Sequence, residues 1–447
     1  MKNTVLILFV MLLISGNVFT QDFGYFNKQV LFDPMSSEFY IFRIPAIVTS
    51  VSGNILVFSE GRKGKGGDFD PSNIVYRLSS DSGESWTPIS ILADNGNTTC
   101  SNAVPIVDYF DNKIHLIYTV GYNKLFYTSS VDEGVSWDTT INITDVLEGF
   151  KSKYPWKVVA TGPGHGTQLT TGRLIVPIWF SESKAIDSLN FALAHHPSIA
   201  SVMYSDDFGK SWLVGDIIGL NNDTLIFPSE ASCVELLSGE VLFNMRNESK
   251  NYRRLVSLSP DGTTNWSSPH YSDNFFEPIC HASMIRYSIK PYQDLNRIIF
   301  TNPDSRMAPW STKRGTTHNA APKRQRSNLT LRLSYDEALT FPVYKEIDAG
   351  LTGYSDLAVS NNGIIHCLYE TGVKVKNTFH PSEITLASFD LSWATNGKDA
   401  LSINDMPLNS NLICAAEKQN MGPAKKKKHL FRKKQVRNCS NCMSYIH

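Results

Sequence analysis

Two segments near the start of the chain place charged side chains in unusual surroundings. Arg43 lies within the apolar run of residues 40–45, where a charged residue is ordinarily a strand boundary or has an acidic partner. A glycine-rich loop within residues 60–70 then presents two carboxylates, Asp68 and Asp70. A guanidinium can bind an anion, and a carboxylic acid can transfer a proton. The loop could cover a ligand, and a solvated surface turn is the default alternative.

Acids, arginines and a tyrosine recur beside strand-like runs later in the chain. Glu230 opens a segment that ends just before Arg246, Tyr354 follows a glycine, and Glu370 ends another apolar run. A tyrosine with the usual pKa of about 10 is a poor nucleophile at neutral pH, so it needs a base beside it. Without such a base, a lone tyrosine in a strand is usually a core residue.

The elements that must position these residues are marked by a repeated motif, Ser-x-Asp-x-Gly-x-x-Trp. Its aspartate caps a tight turn, its glycine takes a conformation that other residues resist, and its tryptophan fixes the turn onto a sheet. The intervals between successive aspartates are 51, 75, 54 and 75 residues, which suits one hairpin turn per blade of a β-propeller with some blades lacking the motif. The copies are Ser79–Trp86, Ser130–Trp137, Ser205–Trp212, Ser259–Trp266 with its glycine shifted by one, and Ser334–Phe341 with two positions degraded.

The composition fits one large all-β domain. A propeller takes up about 350 to 400 residues as a single unit, and 42% hydrophobic residues supply its core. No long amphipathic helical pattern occurs. Short β-rich runs such as residues 55–58, 114–118, 174–178 and 364–368 are separated by Gly, Asn and Asp turns. We assign the propeller to residues 21–410.

The first 20 residues are typical of a secretory signal peptide. Lys2 is followed by an apolar run from Val5 to Ile14, which is too short to span a bilayer comfortably, so a signal anchor is the weaker alternative. The expected location is secreted or in the lumen of the secretory pathway, including lysosomal or cell-surface-associated forms. Seven Asn-x-Ser/Thr sequons, at Asn97, Asn142, Asn222, Asn247, Asn265, Asn328 and Asn438, fit a glycosylated product.

Seven cysteines are spread too thinly for a disulfide-built scaffold. Cys233 and Cys367 lie in apolar runs and are expected to be buried thiols. The Cys439–Cys442 pair has redox or metal spacing, but without a second pair it is interpreted as incidental.

The zero net charge hides a basic C-terminus. Nine basic residues and no acidic ones lie between Lys418 and the end, so the rest of the chain carries a net charge of −9. Residues 411–447 are expected to form a flexible tail that could contact anionic glycans or a membrane surface, or have no partner. No nucleic-acid partner is expected.

The Phe42–Pro45 element followed by repeated Asp-boxes resembles the exo-α-sialidases, or neuraminidases, of microbes and animals. The resemblance covers about residues 30–395. It implies a six-bladed β-propeller with the active site on its axis. It also implies retaining hydrolysis of terminal α-linked sialic acid from glycoproteins, oligosaccharides and gangliosides, with no metal or other cofactor.

The same resemblance assigns roles to the residues. Arg43, Arg246 and Arg326 would bind the substrate carboxylate, with Arg324 as the alternative to Arg326. Glu370 would orient Arg43. The further assignments are Tyr354 as nucleophile, Glu230 as its base, Asp68 as the acid with Asp70 as alternative, and Arg62 and Asn102 as sugar contacts.

Other residues have weaker assignments. His165 could line the pocket, and Trp156 and Phe69 could form apolar walls for the N-acyl group of the sugar. His281 stands where the family pattern leads us to expect a glutamine-like residue. Asn328 lies two residues from Arg326, and a glycan there would block the site, so we expect it to be unmodified.

Three alternatives share parts of this pattern. An intramolecular trans-sialidase or a transferase would have the same catalytic set and differ in its product. A sialic-acid-binding lectin would be expected to have lost the tyrosine, its glutamate or the acid. A scaffold propeller without a sugar site would not need the set of arginines.

Overall fold

The protein is built almost entirely from β-strands. The computed structural model describes residues 24–401 apart from 185, 188–191, 194, 308–324 and 376–377. The assigned signal peptide at residues 1–20 and the basic tail at 411–447 lie outside the described residues. The one α-helix among the described residues is α1, Leu391–Thr395, and 3-10 turns occur at Pro34–Ser36, Thr144–Ser152 and Ser305–Met307. The mostly-β prediction is therefore confirmed.

Four antiparallel sheets follow one another along the chain, and each is built from strands of one continuous segment. Sheet 1 contains β2 (Ile41–Thr49), β3 (Ile55–Arg62), β4 (Ser72–Ser79) and β5 (Ser90–Ala93). Sheet 2 contains β6 (Cys100–Asp108), β7 (Lys113–Val120), β8 (Lys124–Ser130) and β9 (Ile141–Asn142).

Sheets 3 and 4 continue the pattern. Sheet 3 contains β10 (Val158–Thr161), β11 (Thr167–Gln168), β12 (Leu174–Ser181), β15 (Ser198–Ser205) and β16 (Leu213–Val214), and the short strands β13 (Ile186–Asp187) and β14 (Ala192–Leu193) pair separately. Sheet 4 contains β17 (Ala231–Glu235), β18 (Val241–Met245), β19 (Arg253–Ser259) and β20 (His270–Phe276).

The remaining strands form two further four-stranded units that share one long strand. They are β21 (Ser283–Ser288), β22 (Arg297–Pro303), β23 (Ser327–Ser334), β24 (Val343–Val359), β25 (Ile365–Val375), β26 (Thr378–Phe389) and the first strand of the chain, β1 (Phe26–Phe32). The 17-residue β24 pairs with β23 up to Leu351 and with β25 from Thr352 onward. Sheet 5 is thus β21–β24, and sheet 6 contains the end of β24, β25, β26 and β1. The N-terminal strand closes sheet 6 by pairing with β26.

Separate hydrophobic clusters join each sheet to the next. Sheets 1 and 2 share a cluster, as do 2 and 3, 3 and 4, 4 and 5, and 5 and 6. A sixth cluster packs Leu368 and Leu386 of sheet 6 against Phe42 and Val57 of sheet 1. The last sheet therefore packs on the first. The inner strands of the sheets are β2, β6, β10, β17, β21 and β24, and several of them contact one another from sheet to sheet, as β2 does with β6 and β24.

Four of the five Asp-boxes form the same turn, and the fourth copy closes a shorter one in which Thr263 and Thr264 donate to Asp261. In the first, Ser79 Oγ donates to Asp81 Oδ1 (2.7 Å), the backbone N–H of Ser85 donates to the same oxygen (2.9 Å), and Gly83 N–H donates to Ser79 Oγ (2.8 Å). The hydroxyl and backbone N–H of Ser85 lower the pKa of Asp81 to about 2. The degraded fifth copy keeps these bonds, with Asp336 accepting from Thr340. The aromatic residue of each box packs against an inter-sheet cluster, as the motif predicts.

The cysteine predictions that the structure tests are confirmed. Cys233 and Cys367 are buried free thiols, as are Cys100 and Cys280, while Cys414, Cys439 and Cys442 lie outside the described residues. In the described part of the chain, no helix has the length and apolar character needed to cross a membrane.

The fifth Asp-box supplies a stability prediction. Ala338 occupies the glycine position of the motif with φ of 66°, where an L side chain is strained, so Ala338→Gly should stabilise the protein by about 0.5–1 kcal/mol. Gly83 has φ of 93°, and a Cβ added there would meet no atom closer than 3.7 Å. Gly83→Ala should therefore cost about 1 kcal/mol through backbone strain alone. Urea unfolding of both variants measures the two effects, and a less stable Ala338→Gly protein would contradict the assignment.

Candidate active site

The residues singled out in the sequence converge on one cavity of about 170 Å³ at one end of the inner strands. The cavity is lined from several different sheets. All but one of the assigned residues line it, namely Arg43, Arg62, Asp68, Asn102, Glu230, Arg246, Arg326 and Tyr354. The exception, Glu370, is fully buried directly behind Arg43. Arg326 lines the cavity together with Arg43, Arg62 and Arg246, while its alternative, Arg324, lies outside the described residues.

Three guanidinium groups surround Tyr354. The Cζ atoms of Arg43 and Arg326 lie 5.5 Å and 5.3 Å from the centroid of its ring. Arg246 Nη1 donates to the phenolic oxygen at 2.6 Å. The guanidinium of Arg326 is held by the carbonyl oxygen of Ile279. Planar cations arranged in this way can bind a carboxylate in front of the tyrosine.

Tyr354 and Glu230 form a hydrogen-bonded pair. The phenol donates to Glu230 Oε1 at 2.7 Å, and Arg246 Nη1 donates to Glu230 Oε2 at 2.8 Å. Burial would raise the pKa of Glu230, but the charge of Arg246 and the hydrogen bonds from Arg246 and the phenol outweigh it and hold that pKa below its usual value. Glu230 is therefore an ionised acceptor placed on the proton of Tyr354.

The phenol itself is neutral in this arrangement. Burial, together with the negative charge of Glu230, raises the pKa of Tyr354 well above its usual value, although the three arginines act in the opposite direction. The effect of the arginines, which favours the phenolate, is therefore the smaller part of the balance. The tyrosine can act as a nucleophile only if Glu230 takes its proton as it reacts.

Glu370 ties the first arginine to the tyrosine. Its Oε1 accepts from Arg43 Nε (2.7 Å) and from the backbone N–H of Ile44 (3.0 Å), and its Oε2 accepts from the backbone N–H of Tyr354 (3.0 Å). One buried carboxylate thus fixes both the guanidinium and the strand that carries the phenol. This geometry fits the orienting role assigned to Glu370.

Bulges in three inner strands aim the functional side chains. The register of β2 shifts between Arg43 and Ala46, that of β6 between Ser101 and Val104, and that of β24 between Thr352 and Ser355. Within the first two bulges, Ile44 and Asn102 have φ of 59° and 56°. A β-branched residue in this region is a true outlier, and such strain costs about 1–3 kcal/mol. Bulges re-aim side chains at functional sites.

The acidic loop is held by an ion-pair chain in which Arg62 and Glu60 are buried and the side chain of Asp68 is half-exposed. Arg62 Nη1 donates to Asp68 Oδ1 (2.7 Å), and Arg62 Nε donates to Glu60 Oε2 (2.8 Å). Burial would raise the pKa of Asp68, but Arg62, Arg43 and His195 hold it well below its usual value. Asp70 instead accepts from backbone N–H groups of its own loop and does not line the cavity.

Glu60 is a supporting residue that the sequence reasoning missed. It is buried, and its second oxygen accepts the backbone N–H of Asn102 at 2.9 Å. Asn102 in turn donates its side-chain amide to Thr161 O at 2.9 Å. The available signal in the sequence was the place of Glu60 in an apolar strand, because a buried acid requires a partner. In the structure, Glu60 lies opposite Arg43 on the neighbouring strand.

An aromatic group forms another side of the cavity. Tyr122, Trp179 and His195 line it, and Phe69 packs behind them with its ring 5.0 Å from that of Tyr122. Phe69 was proposed as a wall residue, whereas Tyr122, Trp179 and His195 were not found from the sequence. Trp156 instead packs in the core between sheets 2 and 3.

Two further sequence expectations can be placed. His165 does not line this cavity, and its Nδ1 lies 2.7 Å from Asp356 Oδ1 beneath it. Asn328 is fully buried, and its amide nitrogen donates to Asp304 O and to the hydroxyl of Tyr344. This burial supports the expectation that Asn328 carries no glycan.

Comparison with known proteins gives the class first. Residues 53–367 match the family model described as "BNR repeat-like domain". Curated relatives include the "Sialidase" of Micromonospora viridifaciens, 26% identical over 79% of this chain and 52% of that protein. The "Exo-alpha-sialidase" of Aspergillus fumigatus is 26% identical over 80% of this chain and 86% of that protein. The chain therefore spans about half the length of the first relative and most of the second.

Solved structures agree on the fold. The "Hadza microbial sialidase Hz136" superposes with a TM-score of 0.62 at 22% identity, over 79% of this chain and 66% of that one. A leech intramolecular trans-sialidase gives 0.63 at 17% identity, over 83% and 71%. The chain belongs to the sialidase family with BNR, or Asp-box, repeats.

The three bonds to Glu370 lead to a prediction. All of its partners are donors, so the amide nitrogen of Glu370→Gln would face a donor. We expect a loss of about 3 kcal/mol in unfolding free energy and a rise in the Kd of free sialic acid, because Arg43 loses its orientation.

Glu337→Gln is the matched control. Glu337 also accepts from an arginine, Arg286, and from a backbone N–H, but on residues that do not line the site. It should lose stability and leave sialic-acid affinity unchanged. Urea unfolding and calorimetric titration measure both quantities, and unchanged affinity in Glu370→Gln would refute the orienting role.

Proposed function

We propose that the protein is a retaining exo-α-sialidase that releases terminal sialic acid from glycoproteins, oligosaccharides and gangliosides. The observation that carries the proposal is the hydrogen-bonded pair of Tyr354 and Glu230, enclosed by three arginines in one cavity. The relatives named above support the substrate class, since they are described as sialidases.

The scaffold we propose is a six-bladed β-propeller, with sheets 1 to 6 as its blades. Support comes from the six inter-sheet clusters, one of which packs the last sheet on the first. The pairing of β1 with β26 would close the ring, because it joins the two ends of the domain in one blade. The site would then lie where the inner strands meet.

The substrate carboxylate would bind to Arg43, Arg246 and Arg326. Arg43 pairs with Glu370, and Arg246 pairs with Glu230 and lies 3.8 Å from Glu248, whereas Arg326 is bonded to the backbone carbonyl of Ile279, so its charge would remain available for the anion. Arg62 and Asn102 would contact the hydroxyl groups of the sugar ring. The aromatic group around Tyr122 and Trp179 would receive the N-acyl group.

The first chemical step would be attack by Tyr354. Its oxygen forms a bond to the anomeric carbon as the bond to the leaving oxygen breaks. Glu230 takes the phenolic proton, and Asp68 gives its proton to the departing aglycone. A neutral nucleophile suits this substrate, because an anionic one would be repelled by the sugar's own carboxylate.

The second step would regenerate the enzyme. Water, deprotonated by Asp68, attacks the anomeric carbon, and the bond to Tyr354 breaks. The phenolate then recovers its proton from Glu230. Two displacements at the same carbon give net retention of configuration.

Asp68 would gain its proton as substrate binds. In the free protein, Arg62 and Arg43 both favour its charged form. A substrate carboxylate paired with Arg43 would cancel one of these attractions, so the pKa of Asp68 would rise toward the range of a general acid. Proton uptake would therefore accompany substrate binding.

The nucleophile is tested by Tyr354→Phe with a fluorogenic aryl sialoside. We expect kcat to fall by at least about 10³-fold, because phenylalanine cannot form the intermediate. Free sialic acid should still bind, because the arginines remain. In the wild-type reaction, NMR should show the α-anomer of the product first.

Tyr287→Phe is the control for removing a buried hydroxyl. Tyr287 is as buried as Tyr354, and its hydroxyl donates to the Gly363 carbonyl at 2.9 Å, away from the cavity. This variant should keep kcat within about twofold while losing about 1 kcal/mol of stability. Wild-type turnover in Tyr354→Phe would exclude the proposed mechanism.

The acid is tested by comparing leaving groups. Asp68→Asn should lower kcat/KM about 10²- to 10⁴-fold for sialyl-lactose, whose leaving oxygen needs a proton. The loss should be much smaller for an activated aryl sialoside, whose phenolate leaves unaided. Asp70→Asn, which changes only the loop turn, should affect the two substrates equally. Equal losses for both substrates in Asp68→Asn would remove Asp68 from the acid role.

A second candidate is an intramolecular trans-sialidase. The leech enzyme with that activity and the one from Ruminococcus gnavus superpose as well as the hydrolases do, with TM-scores of 0.63 and 0.62. The same NMR experiment separates the two functions, because the trans-sialidase would release an anhydro sugar. A lectin is disfavoured because Tyr354, Glu230 and Asp68 are all present in the cavity.

The cellular setting that we propose follows the sequence. Residues 1–20 would direct the chain into the secretory pathway, and the product would be secreted, lysosomal or attached to the cell surface. Residues 411–447 would remain a flexible tail with affinity for anionic glycans or membrane surfaces.

A further inference from the structure

His281 is a fully buried histidine directly beside the proposed catalytic pair. Its ring centroid lies 5.8 Å from that of Tyr354. Neither ring nitrogen has a hydrogen-bond partner among the described residues. An imidazole always carries at least one N–H and offers a second polar atom, so this burial costs free energy that an apolar side chain would not. A buried polar group without partners at such a place calls for a functional explanation.

The backbone opposite the ring is shaped to admit it. Gly164 has φ of 83°, and a Cβ added there would come within 2.7 Å of His281 Nε2 and 3.0 Å of Asp356 Oδ1. Asp356 accepts from Ser283 Oγ and from the backbone N–H of Ile47 and contacts His165, and it makes no hydrogen bond to His281. The imidazole therefore lies among polar groups next to Tyr354, and it does not line the cavity itself.

Several charged or titratable groups surround this ring. Glu230 and Asp356 would favour a cationic imidazole, and Arg254 and His165 would oppose it. The ring of Tyr354 is tilted by 49° to that of His281, and Cys280 precedes His281 in the chain. The two acids are engaged elsewhere, since Glu230 accepts from the phenol and from Arg246.

We propose that His281 is a positioning residue for Glu230. As a neutral imidazole, His281 leaves this carboxylate free to accept the proton of Tyr354, and protonation of the imidazole blocks that transfer. The inference rests on the function proposed above and deepens it. In the transfer, negative charge moves from Glu230 to the phenolic oxygen. A cation at position 281 acts on Glu230, so it would stabilise the carboxylate and oppose the movement of charge.

The protonation state of the ring agrees with this role. Burial lowers the pKa of His281 to about 4, although Glu230 and Asp356 act in the opposite direction. The imidazole is therefore neutral above that pH and charged below it. The acid side of the pH profile of kcat would accordingly report His281 together with Glu230, as coupled sites do.

The test is to measure kcat and KM as a function of pH for the wild-type chain and two variants, His281→Gln and His366→Gln, with an aryl sialoside as substrate. His281→Gln replaces the imidazole by a neutral group that cannot be protonated. We expect its acid limb to move to lower pH, with the fraction of plateau kcat retained at pH 4 at least about threefold higher than in the wild type. KM at the plateau should change by less than about twofold, because His281 does not line the cavity.

His366→Gln is the matched control. His366 is also fully buried, and burial likewise lowers its pKa to about 4, but it lies in β25 between Ser360 and Ser388. Its removal should lower stability and leave the acid limb of kcat unchanged. A purely structural role for His281 would make the two variants behave alike.

A measurement on the unaltered protein covers the case in which His281→Gln does not fold. Nitrogen-15 NMR of the histidine side chains should show His281 neutral at pH 5.5, and an imidazolium at that pH would overturn the proposal. An unchanged acid limb in a folded His281→Gln would overturn it as well. If Tyr354→Phe stays active, the proposed function itself fails. If Tyr354→Phe is inactive while His281→Gln behaves as wild type, only the inference about His281 fails.

Discussion

The repulsion among guanidinium groups gathered around one buried phenol is the constraint on which the rest of the site depends. Like charges at this range in a poorly solvated cavity can be held together only if nearby anions offset them. Glu370 offsets Arg43, and Glu230 offsets Arg246. The third cation, Arg326, is held by a backbone carbonyl instead. In the function proposed above, Arg326 would supply the charge that attracts the substrate anion.

The same carboxylates also perform second tasks. Glu370 fixes the backbone of Tyr354, and Glu230 is placed to receive its proton. Each acid therefore combines charge balance with position, so its removal should disturb binding, catalysis and stability together. Glu60 repeats this arrangement on the other side of the cavity, where it holds both Arg62 and the strand turn at Asn102.

The scaffold supplies the rigidity that such an arrangement needs. The bulges in β2, β6 and β24 interrupt these strands at the positions that carry the site. On either side of each bulge, the strand remains paired with its neighbour. Left-handed backbone at Ile44, Asn102 and Ile279 is sustained by surrounding packing. The Asp-boxes lie in turns away from this cavity and hold the outer parts of the sheets, so fold maintenance and chemistry occupy separate regions.

The sequence by itself determined the class of fold, because turn motifs and strand periodicity are local properties. A serine and an aspartate two residues apart close the turn through local bonds, and the degraded copy at Asp336 keeps these bonds with alanine at the glycine position. The family pattern also indicated most residues that line the cavity. These assignments depended on flanking residues such as those around Arg43 and Tyr354.

Only the tertiary structure decided which residues share the cavity and in what charge state. Trp156 and Trp179 both lie in apolar surroundings, yet only Trp179 lines the cavity, because it packs with Tyr122 in a separate cluster beside the site while Trp156 packs in the core between sheets 2 and 3. Glu60 and His281 acquire their importance from residues distant in the chain, since Glu60 accepts from Asn102, 42 residues later, and His281 lies beside Tyr354. The neutrality of Tyr354 likewise arises from burial and from Glu230, which lies 124 residues earlier in the chain. Burial and long-range electrostatics depend on distances in space, and distance along the chain does not encode them.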